Sequence, residues 1–414
     1  MFRMIEKMEN TDNLKPHIGS IPIAMGTVLL FIGNGAALGI ADNYFLFFIA
    51  MIFNFIEFIL TKKKVISIDS TFVLAMVLLI LTTLFIIKGT YDHGSAMSIS
   101  LFMMLIVSIS LVRYNQIDAK IIIQGMIISS VIFSLLIIFF GEEYLYKGTS
   151  KLTYTQSFGK HITFEPNYLG VLLTAGFCFS VYNAIDDFQN KRKMITSISF
   201  SMIAMVGAFL TGSRSAVVSI LAFIILLINF MKSSEVKKRL LLLVGVLLLI
   251  GILLVVNKVI PESIYQRIFE NSYMDNSNMK RIKDWDYGIK IMMLHPIFGN
   301  GPLKTSDIMI KNYGFRGDVH NTFLTIGVIY GIPIFFWFII YIINIIVKLL
   351  KNNEKTLGAI IIAMIIEWNI LACQYTVTTW LTIIVAFIVM NKNSDVISDQ
   401  RYSKRMKNKL LRRL

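Results

Sequence analysis

Apolar residues fall in long runs separated by short polar connections, and the runs have the length of a membrane-crossing helix. About 20 consecutive apolar residues carry a helix across the hydrocarbon core of a bilayer. Runs of this order lie near residues 18 to 40, 44 to 60, 71 to 87, 96 to 112, 121 to 140, 165 to 185, 194 to 211, 215 to 231, 240 to 256, 320 to 347, 356 to 374 and 377 to 390. They predict an all-α, polytopic integral membrane protein with about twelve transmembrane helices. One interval breaks the rhythm: the stretch from Lys258 to Val319 is mainly polar. The expected organisation is therefore a single membrane domain over residues 1–414, with one large loop at 258–319 and a basic tail at 391–414.

Composition agrees with the pattern. With 56% hydrophobic residues, a mean hydropathy of +0.69 and 16% charged residues, the chain is too apolar for a soluble fold. The basic residues then orient it. If the N-terminus is cytoplasmic, 26 of the 40 Lys and Arg fall on the inside, including Lys62 to Lys64, Lys191 to Lys193 and the tail from Arg401 to Arg413. Every short connection obeys the positive-inside rule, and both termini come out cytoplasmic. Nine of the 14 remaining basic residues lie in the one long loop, among them Lys258, Arg267, Lys280, Lys304 and Arg316. The net charge of +15 reads as anchoring against anionic lipid, and its spread over many loops argues against nucleic-acid binding. The first run reads as an uncleaved signal anchor. Cys178 and Cys373 both fall in predicted helices and read as packing residues. Glu57, about a turn before Lys62 to Lys64, reads as a snorkelled ion pair.

Three features on the expected outer side carry chemistry. The first is TGSRSA, residues 211–216, which places Ser213 and Arg214 in a tight turn between two spans. An arginine at the hydrocarbon edge must snorkel, stay hydrated or meet an anion, and both a capping and an anion-binding reading stand. The second is RIKDWDYGIKIMML, residues 281–294. Its apolar positions Ile282, Trp285, Ile289, Met292 and Met293 recur at helical spacing and predict an amphipathic helix on the membrane surface, with Arg281, Lys283 and Asp284 toward water. Pro296 ends it, and GNGP at 299–302 makes a sharp turn. Asp284 and Asp286 resemble a metal-holding carboxylate pair, but one turn of helix sends them to diverging faces, and no metal is expected. The third is His320-Asn321, which opens the tenth run. Histidine is the side chain best suited to take and return a proton near neutral pH.

The ordered set TGSRSA, Arg281 with Trp285, HPIFGNGP, and HNTFLTIGVIYGI resembles the bacterial O-antigen ligase and Wzy polymerase family over about residues 160 to 345. FEPNYLG at 164–170 is a weaker upstream element. The resemblance implies a GT-C-like glycosyltransferase of the bacterial cytoplasmic membrane. It would be metal-independent and need no cofactor, with its active site facing outside. Such enzymes take a glycan from undecaprenyl diphosphate and pass it to an acceptor hydroxyl. By this likeness Arg214 and Arg281 would grip the diphosphate, and His320 would act as general base. Glu165, Asn167, Ser213, Trp285, Asn321 and Glu367 would complete the substrate-binding set.

The chemistry of the residues is consistent with those roles. Negative charge grows on a lipid diphosphate as the sugar bond breaks, so fixed guanidinium groups in a partly dry site stabilise the transition state above the ground state. Arginine also holds phosphate oxygens bidentately. Glu165 precedes Pro166 at a helix start, where an acid has a structural use as well. Glu367 is an intramembrane carboxylate, most simply a partner of Arg214 or Arg281. Lys147, Lys151, Lys160 and His161 make the 141–164 loop a second cationic surface.

The leading expectation is a capsule or exopolysaccharide polymerase whose acceptor is another lipid-linked repeat unit, working with other polysaccharide assembly proteins. The alternative is a ligase with a core lipid, wall polymer or protein as acceptor. A third reading is a transporter or flippase for lipid-linked oligosaccharides, against which stand the gathering of intramembrane polar groups toward the outside and the absence of broken-helix signals at the midplane.

Overall fold

The computed structural model describes residues 15–32, 44–61, 69–143, 165–187, 189–231, 272–315 and 317–391, with short strands at 152–153, 155–156 and 162–163. The helices are α1 (Ser20–Val28), α2 (Tyr44–Leu60), α3 (Ser70–Lys88), α4 (His93–Val112), α5 (Gln116–Phe140), α6 (Pro166–Asp186) and α7 (Lys191–Leu210). They continue with α8 (Arg214–Phe230), α9 (Ser272–Leu294), α10 (Thr305–Tyr313), α11 (Thr322–Tyr330), α12 (Ile332–Lys351) and α13 (Lys355–Ile370), and α14 closes the described chain at Val377–Asn391. Among the described residues, six helices are long and apolar enough to cross a membrane: α3, α4, α5, α6, α7 and α12. Shorter apolar helices lie at Phe45–Leu60, Arg214–Phe230 and Val377–Asn391. The chain is a polytopic helical membrane protein. Its only strands among the described residues are two antiparallel two-residue pairs, Glu142–Glu143 with Leu152–Thr153 and Thr155–Gln156 with Ile162–Thr163. The run at 240 to 256, the first part of the long loop and the basic tail lie outside the described residues.

Local signals set the helix ends. Asp69 caps α3 by accepting from Thr71 and Phe72, and Gly89 ends the helix in the left-handed region at φ 74°. Asn115 and Asp118 form a reciprocal capping box on α5. In the centre, glycines let helices approach where lipid supplies no driving force. Gly176 faces Ser130 and Gly207 faces Ser134, drawing α6 and α7 onto α5. A single apolar core joins α1 to α8 with α11 to α14. A second, smaller one of Ile291, Met292, Ile308, Met309, Val319, Leu324 and Val328 seats α9 and α10 on α11.

The tenth run, expected as one helix over 320–347, is two. Gly331 takes φ 88° and Pro333 supplies no amide hydrogen, so the chain turns sharply between α11 and α12. The turn docks on the one after α9, where the Ile332 N–H donates to the Pro296 carbonyl at 2.7 Å. The Phe323 and Phe338 rings, at similar distances from Gly331, lie 5.7 Å apart, so α11 folds back along α12. The tenth run is thus corrected from one helix to two. The eleventh run also ends early: α13 stops at Ile370, and Cys373 sits in a short 3-10 turn, Cys373–Tyr375, outside any long helix. Cys178 is buried within α6 as expected.

At the end of the bundle where α5 begins, His17 clamps the segment before α1. Its backbone N–H donates to Asp118 Oδ1 at 2.7 Å, its Nδ1 lies 2.7 Å from Asp118 Oδ2, and its Nε2 is 3.6 Å from Glu57. The ring stacks on Tyr114, whose hydroxyl donates to Asn54. Glu57 thus has a partner that its sequence neighbours did not indicate. Burial alone would lower the His17 pKa, but the Asp118 hydrogen bond and the charges of Asp118 and Glu57 outweigh it and hold the imidazole above its ordinary value. Stabilisation by such a group is complete below the ordinary value of 6.5 and is lost as pH rises through the raised one. His17→Ala should therefore lower stability by about 2 kcal/mol at pH 6, since it removes the charge-assisted hydrogen bond to the buried Asp118, which keeps only backbone donors. Thermal melts of wild type and variant in detergent should converge as the pH is raised; a gap that widens with pH would refute the clamp.

Candidate functional site

At the opposite end of the bundle, the starts of α6 and α8 meet the end of α13, and α9 lies over them with the strap that leads into α11. Glu165 caps α6: Tyr168 N–H donates to its Oε2 at 3.0 Å, and Asn167 Nδ2 donates to its Oε1 at 2.7 Å. Gly170, one turn on, leaves room for the Ser213 side chain, and this brings the start of α8 against α6. The turn before α8 is built on Gly212 at φ 62° and on the Thr211 hydroxyl, which accepts from Ser213 N–H. Ser213 and Ser215 bond through their hydroxyls at 3.0 Å, so neither caps the helix. Arg214, half-buried, is the first residue of a helix whose N-terminal amides have no side-chain cap, an arrangement that favours anions.

Glu367 is buried in α13 and accepts from Thr174 of α6 at 3.4 Å and from the Ser215 hydroxyl. Arg281, on α9, is half-buried above them. Its guanidinium pKa is held below the ordinary value, first by burial and then by the like charge of Arg214, against the opposing pull of Glu367, Asp284 and Glu165. Arg214 and Arg281, 67 positions apart in the sequence numbering, are thus close enough for mutual repulsion to outweigh each nearby carboxylate. An anion between them would relieve both.

His320 lies on the strap before α11 and is half-buried. Burial lowers its pKa below the ordinary 6.5; Asp318 and Glu165 oppose this, while Lys280 and Arg281 add to it. The imidazole is therefore neutral at physiological pH, the form a general base requires. The Trp285 indole N–H points at the His320 carbonyl, 3.5 Å away. Asn321 caps α11 through Leu324 N–H and donates its amide to the Asn369 carbonyl at 3.2 Å, tying the strap to the end of α13. Arg214, Arg281, His320, Glu165 and Glu367 accordingly form one electrostatic cluster, with Asn167, Ser213, Trp285 and Asn321 bonded into its frame.

The structure corrects the expected facing of α9. Asp284 is fully buried, and neither carboxylate oxygen has a hydrogen-bond partner. Ile282, Ile289 and Met293 are the exposed positions, while Gly288, Ile291 and Met292 face α11. The helix has two usable apolar edges, and the second core takes the one beside Asp284. Asp286, exposed, pairs with Lys290 at 2.5 Å, so the two acids of the DWD sequence lie in different surroundings. The cluster also contains residues not singled out in the sequence, Asp318, Thr174 and Asn369, together with Lys280, noted there only as one of the loop's basic residues, and Ser215, noted only within the TGSRSA motif. Asp318 was nearest to being legible, two positions before the His-Asn pair. Lys147, Lys151, Lys160, His161, Lys258, Arg267 and Arg316 lie outside the described residues.

Burial pushes the Asp284 pKa up to about 6, with Lys280 and Arg281 resisting and Asp318 adding to the rise. A carboxyl raised in the folded state stabilises it at low pH and loses that contribution as pH climbs through 6. Asp284→Asn should therefore stabilise the protein at pH 7.5, by on the order of 2 kcal/mol, and the gain should vanish near pH 4. Melting curves at the two pH values test this; a destabilised variant at pH 7.5 would mean that the carboxylate has a partner in the folded protein.

Residues 199–339, from within α7 to within α12, match a family model described as O-Antigen ligase. The match includes Arg214, Arg281 and His320. No curated protein matches the chain.

Proposed function

With residues 199–339 belonging to the O-antigen ligase/Wzy family, we propose that the protein is a cell-surface polysaccharide polymerase acting on undecaprenyl-diphosphate-linked glycans at the outer face of a bacterial cytoplasmic membrane. The observation that supports this most is the pairing of Arg214 with Arg281 beside a neutral His320. In the proposed reaction the two guanidinium groups hold the diphosphate of the donor. An acceptor hydroxyl on a second lipid-linked repeat unit gives its proton to His320, and its oxygen forms a bond to the anomeric carbon. The bond from that carbon to the diphosphate oxygen breaks, and its electron pair stays on the diphosphate. Attack opposite the leaving group inverts the anomeric centre.

The charge that develops on the leaving group falls where the arginines already are, so their contribution grows toward the transition state. Glu367, Ser215 and Thr174 fix the floor beneath the arginines, and Glu165 with Asn167 borders the side from which sugar hydroxyls would approach.

His320→Ala should lower chain assembly by 10²-fold or more, the range for losing a positioned base, while donor binding persists and single repeat units accumulate. A protein that only carried lipid-linked glycans across the membrane would be nearly indifferent to the change. In the wild type, kcat/KM should be level through pH 7 and fall on an acid limb below pH 6.5, because the base must be neutral and its pKa is depressed. Normal long chains from the His320→Ala protein would remove the catalytic assignment.

A further inference from the structure

The strap that carries His320 is constrained from its first residues. Asp318 Oδ1 accepts from Val319 N–H at 2.8 Å and from the Thr305 hydroxyl. Thr305 is the first residue of α10, so one carboxylate ties the strap to that helix. Gly317 lies against the buried Asp284 carboxylate, where a side chain would collide. Val319 is fully buried in the core shared by α9, α10 and α11. The next residue, His320, takes φ 44°, a left-handed conformation that is unfavourable for a residue with a side chain and persists only when its neighbours hold it there. Asn321 is then pinned to α11 and to Asn369.

The charges facing the imidazole come from three elements. Lys280 and Arg281 reach it from α9, Glu165 from the cap of α6, and Asp318 from the strap itself. Two cations beside a histidine weaken it as a base, and these two are the ones best placed to attract a diphosphate. The site therefore carries a conflict between holding an anionic leaving group and keeping a proton acceptor. Asp318 is the nearest remedy in sequence and in charge.

We propose that Asp318 is the positioning residue of this site: its carboxylate anchors the strained strap to α10 and supplies the negative charge that keeps His320 basic beside Lys280 and Arg281. The inference rests on the reading of His320 as the base, and it separates two functions of one side chain. The hydrogen bond from Thr305 serves the anchor, and the charge serves the imidazole. Asp318 and Glu165 raise the His320 proton affinity against the two cations, and of the two acids Asp318 is the one built into the strap itself.

Diethyl pyrocarbonate reacts with neutral imidazole, so the pH dependence of His320 modification, read by peptide mass spectrometry on the full chain in nanodiscs, reports its titration without any substrate. Asp318→Asn should move the midpoint down by about 1 pH unit, the size expected for a close opposite charge. Asp318→Glu should restore most of it. Thr305→Val keeps the charge but frees the carboxylate from α10. It should leave the midpoint nearly in place and raise the modification rate by about twofold or more through local opening. A midpoint unmoved by Asp318→Asn overturns the electrostatic part, and an unchanged rate in Thr305→Val overturns the anchoring part. With lipid-linked substrate, the acid limb of kcat/KM in Asp318→Asn should move with the midpoint. If the midpoint moves while His320→Ala still assembles chains, Asp318 does act on His320 and the base reading is what fails.

Discussion

Two like charges brought into one partly buried cluster are the constraint on which the rest of this structure depends. Arg214 is brought there by the α7–α8 turn and Arg281 by α9; burial disfavours the charge of both, and Arg214 adds to the cost at Arg281. Packing holds the elements that carry them in place. Gly170 lets α8 sit on α6, and Ile291, Met292, Leu324 and Val328 clamp α9 to α11. Glu165 and Glu367 lie close enough to Arg281 for their charges to oppose that of Arg214. A multiply charged anion bound beside both arginines would lower that cost, which is the basis of the proposed donor site.

The same clamp explains why the helix break at Gly331 matters. A continuous helix over the tenth run would carry His320 away from the end of α13. Folding α11 back on α12 instead sets the His320-Asn321 pair beside Asn369, with the turn itself lodged against Pro296. The sharp turns at 296–301 and at 331 are two halves of one joint, and the position of the candidate base follows from both. A broken helix is also found in proteins that move ligands across membranes. Here it serves to deliver a side chain to the cluster.

Much of this was legible in the chain itself. Length and apolarity alone identify α3 to α7, because a run of that length allows few other structures. The ordered set around Arg214, Arg281 and His320 pointed to the region that the family model matches. What stayed hidden was direction. A hydrophobic run looks the same whether it crosses once or turns in the middle, although Gly331-Ile332-Pro333 carried a turn signal. Asp284 was misread as facing water because the helix has a second apolar edge beside it, formed by Gly288, Ile291 and Met292, and only the presence of α11 turns that edge inward. The anchoring by Asp318 depends on Thr305, which lies on a different helix, and no spacing rule connects them.

The central claim is that Arg214 and Arg281 act on one diphosphate, and a double-mutant cycle on binding measures it most directly. Affinity for undecaprenyl diphosphate in nanodiscs would be determined for wild type, Arg214→Ala, Arg281→Ala and the double variant. Groups that share a ligand should couple, so the double variant should lose less affinity than the sum of the two single losses. Losses that simply add would mean that the two arginines serve separate sites and would contradict the account.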